Sequence, residues 1–315
     1  MHRVFARVTS YSLLMASIIR TTAPAKVNLA LSVGALGADG LHPIASLMTT
    51  IDFEDTLEVK RLLPDRMSRF AIEWHPEARR RTDINWKLRQ DLAVRAHTLL
   101  EERLGRSLPI QLRLQKRIPV GGGLGGGSAN AAAMLRALNA LFELELASDV
   151  LERVALELGS DVPFLVRGGS AIVEGTGGEL ERAEQTPVHL VLVLPAIQCP
   201  TGLVYRTFDE LASNPAVDAA RVRALAQTPV SPHAPFNDLA PAAFAVAPSL
   251  RELSARVSEI AELPVHVSGS GATLFVVCDS SIHAQALAAA IEMRTSVVAI
   301  AVTTKATPSL EVESE

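Results

Sequence analysis

The chain has 315 residues, enough for one large domain or two modest ones, each with its own core. Its composition, 48% apolar and 20% charged, is that of an ordinary soluble globule, and a net charge of −4 with a pI near 6.1 gives no electrostatic reason to expect nucleic acid as a partner. The two cysteines, Cys199 and Cys278, stand in apolar, strand-like surroundings without metal-ligand spacing, which suits packing roles in a reducing compartment.

Residues 1–20, MHRVFARVTSYSLLMASIIR, hold three arginines, no acid and a short apolar stretch. They read either as a targeting peptide or as an extension ahead of a true start at Met15, and Leu13–Ile19 is too short to span a bilayer. No other segment predicts a membrane crossing, so the expected setting is cytoplasmic, or organellar if the extension is a transit peptide. Lys26–Val33 alternates as a strand, MTTIDFEDTLEVK reads as one or two more, and the Arg79–Arg80–Arg81 run beside Pro76 reads as a solvated loop. DLAVRAHTLLEERLG predicts a helix stopped by Gly105, and Ile110–Leu114 a further strand. Ala131, Met134, Leu135, Leu138 and Phe142 recur at helical spacing. A second helix is expected from Ser148 as N-cap to Gly159, burying Leu151, Val154, Ala155 and Leu158. AIVEG and HLVLVLP read as strands, with a boundary near residue 185 in the polar stretch LERAEQTP. A proline-rich connection from Asn214 to Pro235 leads into helices, and PVHVSGSGATLFVVCD predicts two strands joined by a glycine turn. The elements mix without strict βαβ alternation, which predicts α+β with domains at 21–185 and 186–305, an extension at 1–20 and a disordered tail at 306–315.

The most demanding stretch is RIPVGGGLGGGSANAAAMLRALN, in which six glycines fill seven positions, Gly121 to Gly127. Glycine is costly to order, so the loop must gain something by being ordered. A strand leads in and a helix leads out. Unpaired N–H groups at a helix start attract anions, and glycines let those groups approach a polyphosphate with no Cβ in the way. Two better-known loops do not fit. A Walker A loop would end in Gly-Lys-Ser/Thr, and the lysine is missing. The spacing of Gly121, Gly123 and Gly126 is formally a dinucleotide fingerprint, but the strand before it is wet on one face and no acidic residue closes a second strand about 20 residues on.

In APAKVNLALSV, Val27, Leu29, Leu31 and Val33 share one strand face, so Lys26 and Asn28 share the other. Taken alone, that describes a half-exposed strand with a solvated lysine. Asp161 in LGSDVPFLVRGG follows a helix stop and precedes Pro163, a place that suits an N-cap as well as a reactive carboxylate.

Together the segments PAKVNLAL, PVGGGLGGGSANAA, GSDVPF and SGSGATLF resemble the three motifs of the GHMP small-molecule kinases, in order, over roughly residues 22–305. DGLHPIASLMTTIDFEDTLEV, the double-glycine loop and FNDL (Phe236–Leu239) are similar, more narrowly, to the branch acting on 4-diphosphocytidyl-2-C-methyl-D-erythritol. The resemblance implies a two-domain fold, with an ATP-binding domain like ribosomal protein S5 domain 2 followed by a ferredoxin-like domain. It implies ATP and Mg²⁺ as cofactors, phosphorylation of that substrate's 2-hydroxyl in the non-mevalonate route to isoprenoids, and a monomer or weak homodimer with no nucleic-acid or membrane partner. Other readings are a homoserine- or mevalonate-type kinase and a silent ligand sensor on the same fold.

Carried over by position, Asp161 is the general base and Lys26 the stabiliser of the nucleophilic oxygen and transferring phosphoryl. Lys116, Pro119, Val120, Gly121, Gly122, Gly123, Leu124, Gly125, Gly126, Gly127, Ser128 and Ala129 would bind ATP, with Lys116 near the adenine and Ser128 also a metal ligand. Asn28, His42, Tyr205 and Asp161 would bind the substrate, His42 and Tyr205 at its cytosine, although on local evidence His42 is equally a turn residue. The chain departs from the family pattern at Leu41, where a tyrosine is usual, at Asp91, where an asparagine is usual, and in SAN where SSN is commoner. Leu41 would weaken stacking, and a carboxylate at 91 cannot donate hydrogen bonds to a base.

Overall fold

Alternating apolar residues draw Ser17–Val33 (β1) and Ile44–Arg61 (β2) into one long antiparallel pair, around which a computed structural model describing residues 17–184, 186–213, 215–305 and 307–314 is organised. The chain continues through Arg69–Trp74 (β3), Leu92–Leu104 (α1), Ile110–Lys116 (β4), Gly126–Leu141 (α2), Ser148–Leu156 (α3), Val162–Arg167 (α4), Ser170–Gly175 (β5) and Glu179–Ala183 (β6). It then runs through His189–Leu194 (β7), Thr201–Leu211 (α5), Ala219–Ala226 (α6), Phe236–Asn237 (β8), Ala240–Val246 (α7) and Pro248–Ala261 (α8). His266–Val267 (β9), Leu274–Cys278 (β10), Ser281–Thr295 (α9), Val298–Thr303 (β11) and Leu310–Ser314 (β12) complete it.

Two sheets result, and the architecture is α+β as expected. The first has the order β12-β1-β2-β4-β3, with β5 on β2, β6 on β5 and β8 on β1. β2 pairs with β5 along its first half and with β4 along its second, so the sheet splays there. The second sheet, β11-β7-β10-β9, is wholly antiparallel. In chain order its strands lie fourth-first-third-second, the ferredoxin-like arrangement. One apolar core lies under α1, α2 and α4, around Leu112, Leu135 and Phe164; another lies under α8 and α9, around Val276, Leu250 and Leu287. A third cluster joins the sheets through Val27, Leu29 and Ile51 on one side and Leu190, Leu192 and Phe275 on the other.

Several local expectations change. MTTIDFEDTLEVK belongs to the single strand β2. Ser148 is the first residue of α3 rather than its cap, Ala147 caps without a side-chain bond, and the helix ends at Leu156. The proline-rich connection contains α6, whose N-cap Asp218 accepts from the Arg221 N–H. The polar stretch near 185 begins as β6, hairpinned onto β5. Residues 310–314 of the expected disordered tail pair with Ser17–Thr21, where Arg20 bonds both Glu58 and Glu313. Ser17–Arg20 of the expected extension therefore belong to β1, while residues 1–16 lie outside the described residues. The arginine run is not merely solvated. Arg79 forks onto Glu292 of α9 at 2.7 and 2.8 Å, and half-buried Arg80 bonds the Pro195 carbonyl. Both cysteines are buried and free, as their apolar surroundings predict.

Candidate active site

The site begins at irregularities in β1. Register shifts between Pro24 and Lys26 and between Asn28 and Ala30 bend the strand next to the glycine loop. Lys26 and Asn28 do share a face, but it is a covered one, with Lys26 5% and Asn28 2% exposed. The Lys26 ammonium donates to Asn28 Oδ1 at 2.6 Å and lies 3.5 Å from Asp161 Oδ2. Its backbone N–H donates to the Leu124 carbonyl at 2.9 Å, which stitches the loop to the strand. Asp161 stands at the start of α4 but makes no capping bond, so its carboxylate faces Lys26 and is about a quarter exposed. The apolar residues of α4, Val162 to Val166, are all buried and fix that carboxylate in place.

The glycines answer to neighbours within the protein as much as to any ligand. A Cβ on Gly123 would overlap the Ser268 carbonyl of the β9–β10 turn, and one on Gly125 would lie 3.0 Å from Lys26 Cγ. A Cβ on Gly126 would sit 2.8 Å from Ile118 Cγ2, whereas Gly121 meets nothing within 4 Å and needs glycine only for its φ of +75°. The turn is held in turn by Asn237 of the FNDL segment, whose Nδ2 donates to the carbonyls of Val267 (2.8 Å) and Gly269 (2.7 Å). Helix α2 starts at Gly126 with no side-chain cap, so its first N–H groups open toward the cavity with Ser128 beside them.

A cavity of about 930 Å³ contains these groups. Pro119, Val120, the glycines, Leu124 and Ser128 line it, but Ala129 turns into the core beneath α2 and does not. One end is walled by Trp86, Gln90, Asp91, Leu92 and Lys116, the other by Leu41, His42, Tyr205, Arg206 and Asp209. Lys116 reaches the wall, yet its ammonium is spent on buried Asp55 at 2.6 Å; Asp55 also accepts the N–H groups of Arg117 (2.6 Å) and Ile118 (2.8 Å), anchoring the strand that feeds the loop. Asp91 is satisfied as a pure acceptor, taking the Ala93 N–H as N-cap of α1 and the Trp86 indole at 3.1 Å. His42 lies between the turn at residues 38–40 and β2 and faces the cavity, with Nδ1 on the Gly34 carbonyl at 2.9 Å and Nε2 3.5 Å from Asp209. Its ring centroid is 5.0 Å from that of Tyr205, too near to admit a base between them, which leaves the other faces of these rings and Leu41 for stacking. Burial, and then the charge of Asp161, push the Tyr205 phenol up to about 12. Among the described residues no cluster of His, Cys, Asp and Glu could itself hold a metal ion.

Sequence reasoning did not single out Trp86, Gln90, Arg206 or Asp209. Trp86 is one of two tryptophans and sits in a polar loop, a signal that could have found it.

Residues 91–169 match the family described as the GHMP kinases N terminal domain. The chain is 35% identical over 269 residues to the 4-diphosphocytidyl-2-C-methyl-D-erythritol kinase of Exiguobacterium sibiricum, covering 84% of this chain and 91% of that one. It is 34% identical over 273 residues to the enzyme of the same name from Bacillus cereus, covering 83% and 89%. The chain belongs to the GHMP kinase family, in the 4-diphosphocytidyl-2-C-methyl-D-erythritol kinase branch. A crystal structure of 4-(cytidine 5'-diphospho)-2C-methyl-D-erythritol kinase superposes on this GHMP kinase with a TM-score of 0.72 at 34% identity, covering 90% of this chain and 98% of the other. The homoserine kinase of Cytophaga hutchinsonii (TM-score 0.63, 15% identity, covering 98% and 100%) shares the kinase's fold. Among the described residues no helix is long and apolar enough to cross a membrane.

Proposed function

We propose that this chain moves the γ-phosphoryl group of ATP onto the 2-hydroxyl of 4-diphosphocytidyl-2-C-methyl-D-erythritol. The observation that carries the reading is the Lys26–Asp161 pair, 3.5 Å apart, beside an uncapped helix start inside one two-ended cavity. The triphosphate lies on the N–H groups of Gly126, Gly127 and Ser128, with the adenine toward Trp86 and Asp91 and the cytidyl group toward Leu41, His42 and Tyr205. An alcohol is a poor nucleophile, and phosphoryl transfer asks for in-line placement and charge neutralisation more than covalent help. Asp161, free of any capping bond, accepts the hydroxyl proton. Lys26 holds the attacking oxygen and neutralises charge on the transferring group. Ser128, beside the start of α2, is the residue that would hold a Mg²⁺ ion, which would supply further charge neutralisation. Tyr205 stays protonated at neutral pH and serves as a surface for the base, not as an acid or base.

We read residues 21–185 and 186–305 as two domains that share this cavity, in a cytoplasmic enzyme. The test is phosphate transfer from ATP to the cytidyl substrate by the full chain, because cutting after residue 20 would remove Ser17–Arg20 from β1. Asp161→Asn is expected to lower turnover by roughly three or more orders of magnitude while ADP still binds. Unchanged turnover in that variant refutes the assignment of the base.

A further inference from the structure

Among the described residues the Lys26 ammonium makes one short hydrogen bond, to Asn28, and that bond is itself governed from behind. An ammonium has only protons to offer, so Asn28 must turn Oδ1 toward Lys26 and Nδ2 away from it. Nδ2 then donates to Ser46 Oγ at 2.8 Å, and that hydroxyl spends its one proton on the Ala30 carbonyl at 2.6 Å. The row runs Lys26, Asn28, Ser46, Ala30, and its three side chains are 5% exposed or less.

The backbone explains why it can exist. Ser46 lies on β2, opposite Leu31 of β1 on one side and Val173 of β5 on the other. The register shift between Asn28 and Ala30, which leaves Leu29 without a partner on β2, falls inside this row, and the Ala30 carbonyl beyond it accepts the Ser46 hydroxyl. The carbonyl fixes the hydroxyl, the hydroxyl fixes the amide, and the amide fixes the ammonium. We infer that Ser46 is a positioning residue for phosphoryl transfer, acting through Asn28 to aim Lys26. This rests on the role given to Lys26 above. Without the hydroxyl, Nδ2 loses the acceptor that holds the amide plane from behind, so the amide is free to rotate about its Oδ1 contact, the 2.6 Å bond loosens and Lys26 is aimed chiefly by Asp161.

The experiment compares S46A, S46T, N28A and N28A/S46A as full-length chains, with kcat and KM for ATP measured separately. S46A is expected to lower kcat about 10- to 100-fold, the usual range for a residue supporting a functional group from behind, and to leave KM for ATP within about twofold. S46T keeps the hydroxyl and is expected to recover most of that kcat. In the N28A background the Ser46 change is expected to cost nothing more, since the group it acts through has gone. A purely packing role predicts the reverse order, because an added methyl at a position with no exposure hurts more than a lost oxygen. S46T slower than S46A, or losses in N28A and S46A that multiply in the double variant, overturns the inference. The kinase reading stands or falls separately, on Asp161→Asn, and a relay that fails while Asp161→Asn remains inactive leaves that reading intact.

Discussion

Replacing Gly123 by alanine tests whether the glycine loop is held shut by the second sheet. Two costs are visible in the structure. Gly123 has φ +77°, a conformation that costs a residue with a Cβ about 1–2 kcal/mol. The new methyl would also overlap the Ser268 carbonyl and lie 3.0 Å from the Gly271 carbonyl, both of them backbone, so no side chain can swing aside. Forcing such a contact costs about 1–3 kcal/mol more, which gives a total of roughly 2–5 kcal/mol. At about 2–4 °C per kcal/mol, thermal unfolding should fall by about 4–20 °C. A loop displaced by about 1 Å should lose about 100-fold in turnover. Gly121→Ala is the control. It carries the same backbone strain at φ +75° with nothing within 4 Å, so only the first cost applies. Calorimetry and ATP turnover on the two variants decide the matter. If Gly123→Ala melts and turns over like Gly121→Ala, the β9–β10 turn does not pack on the loop and the account of the cradle is wrong.

Asp55→Asn leaves the Lys116 ammonium buried beside a neutral amide and should cost about 3–5 kcal/mol, read as a lower melting temperature. The double change Asp55→Asn with Lys116→Met should recover part of it, and a single variant as stable as the parent contradicts the anchoring role. Ultraviolet titration should find one phenol still protonated near pH 11, absent in Tyr205→Phe, because burial and Asp161 push Tyr205 up to about 12. In Asp161→Asn that phenol should ionise at lower pH. Since an unfolded tyrosine releases its proton near pH 10, the stability linked to Tyr205 is complete below that pH and drains away as pH rises toward about 12. A wild-type chain whose phenols all ionise near pH 10 would contradict this.

Local signals carried well where the physics is local. The sequence pattern located β1, β4, α1 with its Gly105 cap, the glycine loop running into α2, and the β9–β10 hairpin. Lys26 and Asn28 share a strand face as alternation predicts, but burial of that face depends on the β9–β10 turn, more than 200 residues away, which no strand pattern records. The partner of Lys116 is Asp55 and that of Arg79 is Glu292, both distant in the chain, whereas the sequence reading put Lys116 near the adenine and left Arg79 solvated. Asp161 suited an N-cap by its position before Pro163, yet the pull of Lys26 keeps its carboxylate off the helix. Local spacing also suggested that the glycines serve a ligand alone, when three of them are required by Ser268, Lys26 and Ile118.

The apolar cluster shared by the two sheets constrains how the cavity fills. Val27 and Leu29, on the strand that carries Lys26, are fully covered in one cluster with Leu190, Leu192 and Phe275 of the second sheet. Swinging one half away from the other would wet that seam, at about 25 cal/mol for each Å² of apolar surface exposed. A clam-like opening is therefore not expected when the reactants bind, so X-ray scattering profiles with and without both reactants should overlay. For inhibitor design, the cleft as the two sheets hold it is then the template to fit.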